Sequence, residues 1–259
     1  MKLLDNHAHL DDDKFNPDRE EIIEKIHKSE VDIFISAGYN IESSKNAIEL
    51  SKKYEFIYAT CGISPNDIPQ NEDELWKALD EIKNLAKQNK KVIAIGEIGL
   101  DYYWTKENIE LQRKAFVEQI KIANELNLPI QIHNRDAIMD TLDILKQNPV
   151  NKKGTFHCCP LNRELIKEGL KFGFYISFAG PITFKNSKNA DEIIKMVPND
   201  KLLIETDSPY LSPEPLRVKR NDPRNVKYIA QKIADVKNIS VEEVAKITYE
   251  NACKLFQFF

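Results

Sequence analysis

The chain has 259 residues, of which 42% are hydrophobic and 30% charged, a balance typical of a globular protein with a packed core. Its net charge of −4 excludes bulk positive charge as a way to attract nucleic acid or an anionic membrane, so an anionic substrate must be held by local charge or by metal. The four cysteines form neither a C-x-x-C pair nor the spacing of a disulfide framework. With no signal-like stretch and no long apolar run, we expect a cytoplasmic protein with no membrane contact and no obligate protein partner.

Short apolar, β-branched runs alternate with longer amphipathic segments along the whole chain. The first half predicts strand 2–5, helix 17–29, strand 31–37, helix 41–53, strand 56–61, helix 72–88, strand 92–97 and helix 107–126. The second half predicts strand 129–133, helix 136–146, strand 154–157, helix 163–172, strand 174–178, strand 202–207 and helices 226–235 and 241–256. The last helix begins with a capping box that runs from Ser240 to Glu243.

This alternation predicts an α/β fold built from parallel βαβ units, with a sheet covered on both faces. About eight such units favour one closed (β/α)8 TIM barrel, a single domain over residues 1–259. The alternative is an open doubly wound sheet. No G-x-G-x-x-G or G-x-x-x-x-G-K-[ST] loop follows any predicted strand, which favours the barrel.

Six histidine and carboxylate side chains stand where predicted strands end. They are His7, His9, Glu97, His133, His157 and Asp207. Because the carboxyl ends of parallel barrel strands lie on one face, these residues should converge there despite their separation in the chain. The H-x-H spacing points both imidazoles the same way along an extended segment, so two rings can bind one metal ion.

Four histidines with two carboxylates suit divalent zinc, magnesium or manganese better than calcium, which prefers oxygen ligands alone. Six ligands are too many for one tetrahedral zinc with an open position, so we expect two divalent ions, with Glu97 as the bridge. One histidine at a strand end is more often structural than a ligand, but packing does not explain four of five on one face. His27, in the predicted helix 17–29, is interpreted as an ordinary helix residue.

The segments "DNHAHLDD", "IGEIGLDYYW", "QIHNRDA", "FHC" and "IETDSPYL" resemble the signature blocks of the TatD-type metal-dependent hydrolases, a deoxyribonuclease family of amidohydrolase-like barrels. The resemblance implies that one metal is held by His7, His9, Glu97 and Asp207, and the second by Glu97, His133 and His157. It also implies hydrolysis of DNA phosphodiester bonds by a water that two metals activate, although some relatives are associated with other hydrolytic activities.

The sequence departs from the family pattern at two places, neither of which involves the six candidate ligands. Family members often carry histidine where this chain has Ser64 in "CGISPND", which puts a role of Ser64 in substrate contact in doubt. The segment "CPLN" after "HC" replaces a motif of small residues and glycine.

Two acidic residues near the end of the last strand are the candidate catalytic groups. Asp207 can bind a metal and accept a proton from the attacking water, so we predict that it is the general base. Glu205, two residues earlier, either orients a metal-bound water or a histidine from behind, or forms a structural ion pair inside the barrel.

Arg135, Arg220 and Tyr102 are the predicted substrate contacts. Arg135 follows His133 by two residues and is the first candidate for a phosphate contact. The segment "LRVKRNDPRN" holds Arg220 and three other basic residues against one aspartate, and is either a phosphate-binding loop or an ordinary solvated one. Tyr102 and the two aromatic residues after it either stack on bases or form a packed lid. Asp101, just before them, is a candidate tether for a metal-ligating histidine.

Three functions remain open from the sequence. The first is a two-metal phosphodiesterase acting on DNA, which the basic loop and Arg135 favour weakly. The second is a carboxylic ester or amide hydrolase using the same metal site, for example on aminoacyl-tRNA. The third is a non-catalytic barrel that binds nucleic acid or metal, which a pair of metals with an open coordination face disfavours.

Overall fold

The computed structural model describes residues 1–104 and 106–258. Eight strands form one sheet: β1 (Leu3–Ala8), β2 (Val31–Ala37), β3 (Ile57–Cys61), β4 (Val92–Asp101), β5 (Ile130–Arg135), β6 (Gly154–Phe156), β7 (Tyr175–Phe178) and β8 (Leu202–Ile204). The α-helices are α1 (Arg19–His27), α2 (Ile41–Lys53), α3 (Glu72–Gln88), α4 (Ile109–Leu126), α5 (Ile138–Gln147), α6 (Arg163–Lys171), α7 (Ala190–Met196), α8 (Val226–Lys237) and α9 (Val241–Phe256).

The strands lie in chain order, and each pairs in parallel with the next. The segment after β8 returns to β1, where Ala8 and Ser208 form a parallel bridge and the His9 N–H donates to the Ser208 carbonyl at 2.7 Å. The predicted (β/α)8 barrel is therefore confirmed, and the carboxyl ends of all eight strands face the same way.

The sequence missed one α-helix, ended strands β1, β4 and β5 too early, and carried β8 three residues past Ile204. Helix α7 has only seven residues, too few turns for an apolar repeat to stand out. Strand β4 continues four residues past Glu97, after a register shift between Ile95 and Ile98. In this extension a Cβ on Gly99 would lie 2.0 Å from the His133 carbonyl oxygen, so only glycine lets β4 approach β5 so closely.

The amino-terminal ends of the strands are closed by the last helix. Leu4, Ile33 and Leu203 belong to an apolar cluster that also contains Leu255 and Phe256 of α9. The larger core fills the space between the sheet and the surrounding helices. As predicted, the Ser240 side chain caps α9 by accepting a hydrogen bond from the Glu243 N–H at 3.1 Å. None of the helices in the described residues has the length and apolar character needed to span a membrane.

Candidate metal centre

Three of the candidate ligands lie together where the ends of β1 and β8 are neighbours in the barrel. We call them the first cluster: His7, His9 and Asp207. The Nε2 atoms of His7 and His9 lie 3.2 Å apart. Asp207 Oδ1 lies 3.3 Å from His9 Nε2 and 3.8 Å from His7 Nε2. Asp207 has a φ of +57°, a left-handed conformation that is uncommon for residues other than glycine and often marks a functional site.

The second cluster consists of His133, from β5, and His157, which follows β6. Nδ1 of His133 and Nε2 of His157 lie 3.2 Å apart. Glu97 lies between the two clusters and gives one oxygen to each. Its Oε1 lies 3.1 Å from His133 Nδ1 and 3.6 Å from His157 Nε2, whereas its Oε2 lies 3.5 Å from His7 Nε2 and 3.7 Å from His9 Nε2.

These separations fit the binding of divalent ions. Two ligand atoms at the usual 2.0–2.2 Å from a tetrahedral zinc are roughly 3.3–3.6 Å apart, and the measured separations fall around that range. The structure therefore brings together all six residues that the sequence singled out, in two groups with Glu97 between them. His27, the fifth histidine, lies exposed at the end of α1 against Phe56 and outside both clusters.

The carboxylates of both clusters are held in their ionised form, as metal ligands must be. Burial raises the pKa of Glu97, but the charge of His157 and hydrogen bonds from the histidines hold that pKa well below its ordinary value. Burial also opposes ionisation of Asp207, and its contacts with His9 lower the pKa nevertheless. In turn, although burial lowers the pKa of His9, the hydrogen bond and the charge of Asp207 raise it to about 9.

The histidines of the first cluster are fixed from behind by neutral oxygens. Nδ1 of His7 donates to Gln131 Oε1 at 3.0 Å, and the Gln131 amide is itself oriented by donating to the Asn6 carbonyl at 2.6 Å. Nδ1 of His9 donates to the Ala37 carbonyl at 2.9 Å. These bonds leave both Nε2 atoms free to act as ligands. The sequence reasoning missed Gln131; a glutamine between two isoleucines of a buried strand was the signal for it.

The histidines of the second cluster are fixed from behind by carboxylates. Nε2 of His133 donates to Asp101 Oδ2 at 2.9 Å, the tethering role for which Asp101 was a candidate. Nδ1 of His157 donates to Glu205 Oε1 at 3.3 Å, and the second Glu205 oxygen accepts from the Ser177 hydroxyl at 2.5 Å. Glu205 is fully buried and outside the lining of the cavity. Its position fits the alternative in which it orients a histidine, and does not fit direct contact with a substrate.

A cavity of about 730 Å³ opens over the two clusters. Arg135 and Trp104 line it, and the Arg135 guanidinium lies 3.8 Å from the ring centre of Tyr103 and 5.3 Å from that of Trp104. Within the described part of the chain, no carboxylate oxygen lies within 4 Å of this guanidinium. Ser64 also lines the cavity and caps a short helical turn, where its hydroxyl accepts from the Asn66 N–H at 3.4 Å.

Two predicted substrate contacts lie elsewhere. The Arg220 guanidinium donates to both oxygens of Asp18, at 2.8 and 2.6 Å, and lies over the ring of Phe15. The sequence suggested one opposing aspartate for the basic loop, but Asp18 is 202 residues away in the chain and could not be anticipated as its partner. The Tyr102 hydroxyl donates to Asp140 at 2.6 Å, and Tyr102 lies outside the lining of the cavity. Both side chains lie outside the lining of the cavity, and their contact with a substrate stays a prediction.

The chain was compared with protein families and known proteins. A family model described as TatD related DNase matches residues 4–257. The chain is 45% identical over 98% of its length, and 99% of the relative, to the uncharacterized metal-dependent hydrolase YabD of Bacillus subtilis. It is 36% identical, over 99% of its length and 96% of the relative, to the uncharacterized metal-dependent hydrolase YcfH of Escherichia coli.

Solved structures share the fold. The crystal structure of YJJV, a TatD homologue from Escherichia coli K12, superposes with a TM-score of 0.92 at 24% identity and covers 98% of both chains. The phosphotriesterase homology protein from Escherichia coli superposes with a TM-score of 0.70 at 17% identity over 99% of both chains. Together with the family match and the sequence relatives, these findings show that the chain belongs to the TatD-related DNase family of metal-dependent hydrolases.

Proposed function

We propose that the protein is a deoxyribonuclease that hydrolyses DNA phosphodiester bonds at two divalent metal ions. The observation that carries the proposal is the position of Glu97, whose two oxygens lie against two separate pairs of histidine nitrogens at 3.1–3.7 Å. A carboxylate shared in this way is a natural bridge between two ions, which are typically about 3.5–4 Å apart in two-metal hydrolases. Zinc, manganese and magnesium all remain candidates for the ions.

Asp207 is the proposed general base. Ions bound at the clusters would supply the positive charge that activates a water and neutralises the phosphoryl oxygens. The Asp207 side chain lines the cavity, and its Oδ1 lies 3.3 Å from His9 Nε2, so it stands next to the candidate metal ligands. Because its pKa is lowered, it is ionised at neutral pH and can accept the proton of that water.

Arg135 is the proposed phosphate contact, and the aromatic rings beneath it are the proposed base contact. Its guanidinium is exposed, lines the cavity and follows His133 by two residues. Tyr103 and Trp104 are 54% and 68% exposed, so their faces are accessible to an unstacked base. This arrangement supplies local positive charge and a stacking surface on a protein whose net charge is −4.

One observation favours the second candidate function, hydrolysis of a carboxylic ester or amide. Asp12 and Asp67 also line the cavity, and Arg220 is paired with Asp18. A long polyanion gains little from such a mouth, because these carboxylates oppose phosphates other than the reacting one. In support of phosphate chemistry, the phosphotriesterase homology protein, which shares the fold, is described as complexed with phosphate in its active site.

The experiment is a comparison of substrates on the purified protein supplied with Zn²⁺, Mn²⁺ or Mg²⁺. Single-stranded and duplex oligonucleotides are compared with a small carboxylic ester, and the Asp207→Asn variant is the control for contaminating nucleases. The proposal expects metal-dependent cleavage of oligonucleotides that Asp207→Asn loses. Turnover of the ester with oligonucleotides left intact would favour the second function.

The cytoplasmic location expected from the sequence stays a prediction.

A further inference from the structure

Asp101, the last residue of β4, divides its side-chain oxygens between the candidate metal centre and a loop at the cavity mouth. Oδ2 accepts from His133 Nε2 at 2.9 Å. Oδ1 accepts from the backbone N–H groups of Tyr103, at 2.9 Å, and Trp104, at 3.1 Å. The Asp101 side chain is fully buried. One carboxylate therefore holds both a candidate metal ligand and the segment that supports Arg135.

The segment in question, residues 102–104, is called the aromatic loop. Its Tyr103 and Trp104 rings lie exposed beneath the Arg135 guanidinium. Its backbone is joined to β5 as well, because the Tyr102 N–H donates to the Arg135 carbonyl at 2.9 Å. The aromatic loop thus carries the surface that the proposed function assigns to the substrate.

The backbone of Asp101 is fixed, so its carboxylate cannot follow one partner without leaving the other. The Asp101 N–H donates to Gln112 Oε1 at 2.9 Å, and Gln112 Nε2 donates back to the Asp101 carbonyl at 3.1 Å. Asn66 Nδ2 donates to the Oδ2 atom of Asp101 at 3.3 Å. The carboxylate is held by four donors in all, two on the side of the aromatic loop and two on the side of His133.

We propose that Asp101 is a positioning residue that couples the second cluster to the aromatic loop, an inference that rests on the proposed metal centre. Nε2 of His133 donates to Asp101 in this structure, and a cation on Nδ1 would exclude the tautomer that lacks this bond. The fixed carboxylate then holds the aromatic loop and the surface beneath Arg135 in place. The coupling is reciprocal, so an ordered loop strengthens cation binding at His133 by the same factor.

The two tryptophans of the chain allow the coupling to be seen without measuring activity. Trp76→Phe, on α3, leaves Trp104 as the only tryptophan. Zn²⁺ is titrated into the metal-stripped variant while bound zinc and Trp104 emission are both followed. We expect the emission to change as the second equivalent of zinc binds.

Asp101→Asn in the Trp76→Phe background tests whether Asp101 links zinc binding at His133 to the aromatic loop. An amide offers one acceptor and one donor group in place of two acceptors, so while Nε2 of His133 carries the proton the amide can accept from His133 or from the aromatic loop but not from both. We expect the first equivalent of zinc to bind while the emission change is lost. Asp140→Asn is the matched control, because Asp140 accepts from Tyr102 in the same loop and does not contact His133. Its emission change should persist.

A second pair of variants leaves the buried Asp101 carboxylate unchanged. This pair tests the coupling even if Asp101→Asn does not fold. Trp104→Pro removes one of the two loop N–H groups that donate to Asp101, whereas Trp104→Ala keeps both. Calorimetry should give a zinc affinity at the second site weakened by about 5-fold or more in Trp104→Pro, and unchanged in Trp104→Ala. Equal affinities in the two variants would overturn the coupling.

The outcomes separate this inference from the proposed function. If the parent binds two zinc ions without a change in Trp104 emission, or if Asp101→Asn responds as the parent does, the coupling is wrong and the metal centre stands. If the parent binds no zinc, manganese or magnesium, both the metal centre and the coupling are wrong.

Discussion

The two clusters that share Glu97 differ in where their negative charge lies. In the first cluster, Asp207 places a carboxylate oxygen directly beside the histidine nitrogens, and neutral oxygens hold the rings from behind. In the second cluster, no carboxylate other than Glu97 lies among the candidate ligand atoms of the described residues. Carboxylates instead stand behind the rings, where Asp101 holds His133 and Glu205 holds His157.

Because of this difference, we expect two ions bound at the neighbouring clusters to differ in how firmly they are held and in how open their coordination is. A direct carboxylate ligand attracts a cation strongly, so we expect the first cluster to retain its ion more firmly. A carboxylate behind a histidine raises the basicity of the ring and fixes its orientation without closing the coordination sphere. His133 is also the most exposed of the four rings, with 20% of its side chain accessible. We therefore expect a substrate phosphate to enter beside the second cluster, next to Arg135.

Removing the first cluster should have the largest effect. The double variant His7→Ala, His9→Ala takes two nitrogens from the more firmly held ion, and we expect at least one ion to be lost and hydrolysis to fall to background. Elemental analysis and oligonucleotide cleavage measure the two effects. His27→Ala is the control, because His27 lies exposed on α1. Full metal occupancy in the double variant would show that the first cluster is not a metal site.

Asp207→Asn should lower turnover by roughly 10²-fold or more, because the amide keeps an oxygen but cannot accept the proton. Steady-state rates at saturating metal measure this, with circular dichroism to check that the fold persists. The matched control is Asp12→Asn, which changes a carboxylate in the lining of the same cavity that bonds to Tyr210 rather than to a histidine. Equal effects of the two substitutions would contradict the assignment of Asp207 as the base.

Glu205→Gln tests whether a carboxylate behind the histidine matters for the second cluster only. Because Glu205 holds a histidine of the second cluster only, we expect affinity for the second ion to fall by roughly 10- to 100-fold, with the first ion unchanged. Calorimetric titration of metal-stripped protein resolves the two events. A uniform loss of both ions would mean that the clusters do not differ as described.

Arg135→Ala and Arg220→Ala should differ more modestly. Arg135 lines the cavity, so we expect its loss to raise KM for oligonucleotides and to reduce the dependence of binding on salt by about one phosphate contact. Arg220 is paired with Asp18, so Arg220→Ala should leave the salt dependence nearly unchanged. Binding measured from low to high salt distinguishes them, and the reverse order would return the phosphate-binding role to the basic loop.

The barrel and the six candidate ligands could be predicted because both follow from local pattern. Apolar runs mark the strands, and parallel pairing brings the ends of all strands to one face, so His7 and Asp207 are neighbours despite their positions at opposite ends of the chain. The bonds that fix the ligands were harder to predict. Asp101 was a candidate tether for a histidine and Glu205 one of several alternatives, because short spacing in sequence placed each near a ligand.

The rest depended on contacts between distant segments, which no spacing reveals. Gln131 lies behind His7 only because β1 and β5 face each other across the barrel interior. Arg220 is neutralised by Asp18, from the far end of the chain, and Tyr102 turns to Asp140. Gln131 was missed altogether, whereas Arg220 and Tyr102 were singled out without their partners, since those partners depend on how distant segments pack.

Anomalous diffraction from crystals soaked in zinc shows most directly whether Glu97 bridges two divalent ions. We expect two peaks about 3.5–4 Å apart, one beside His7 and His9 and the other beside His133 and His157, with a Glu97 oxygen on each. The peak beside the second pair should weaken first as zinc is removed. A single peak at full occupancy, or peaks away from Glu97, would show that Glu97 does not bridge two ions.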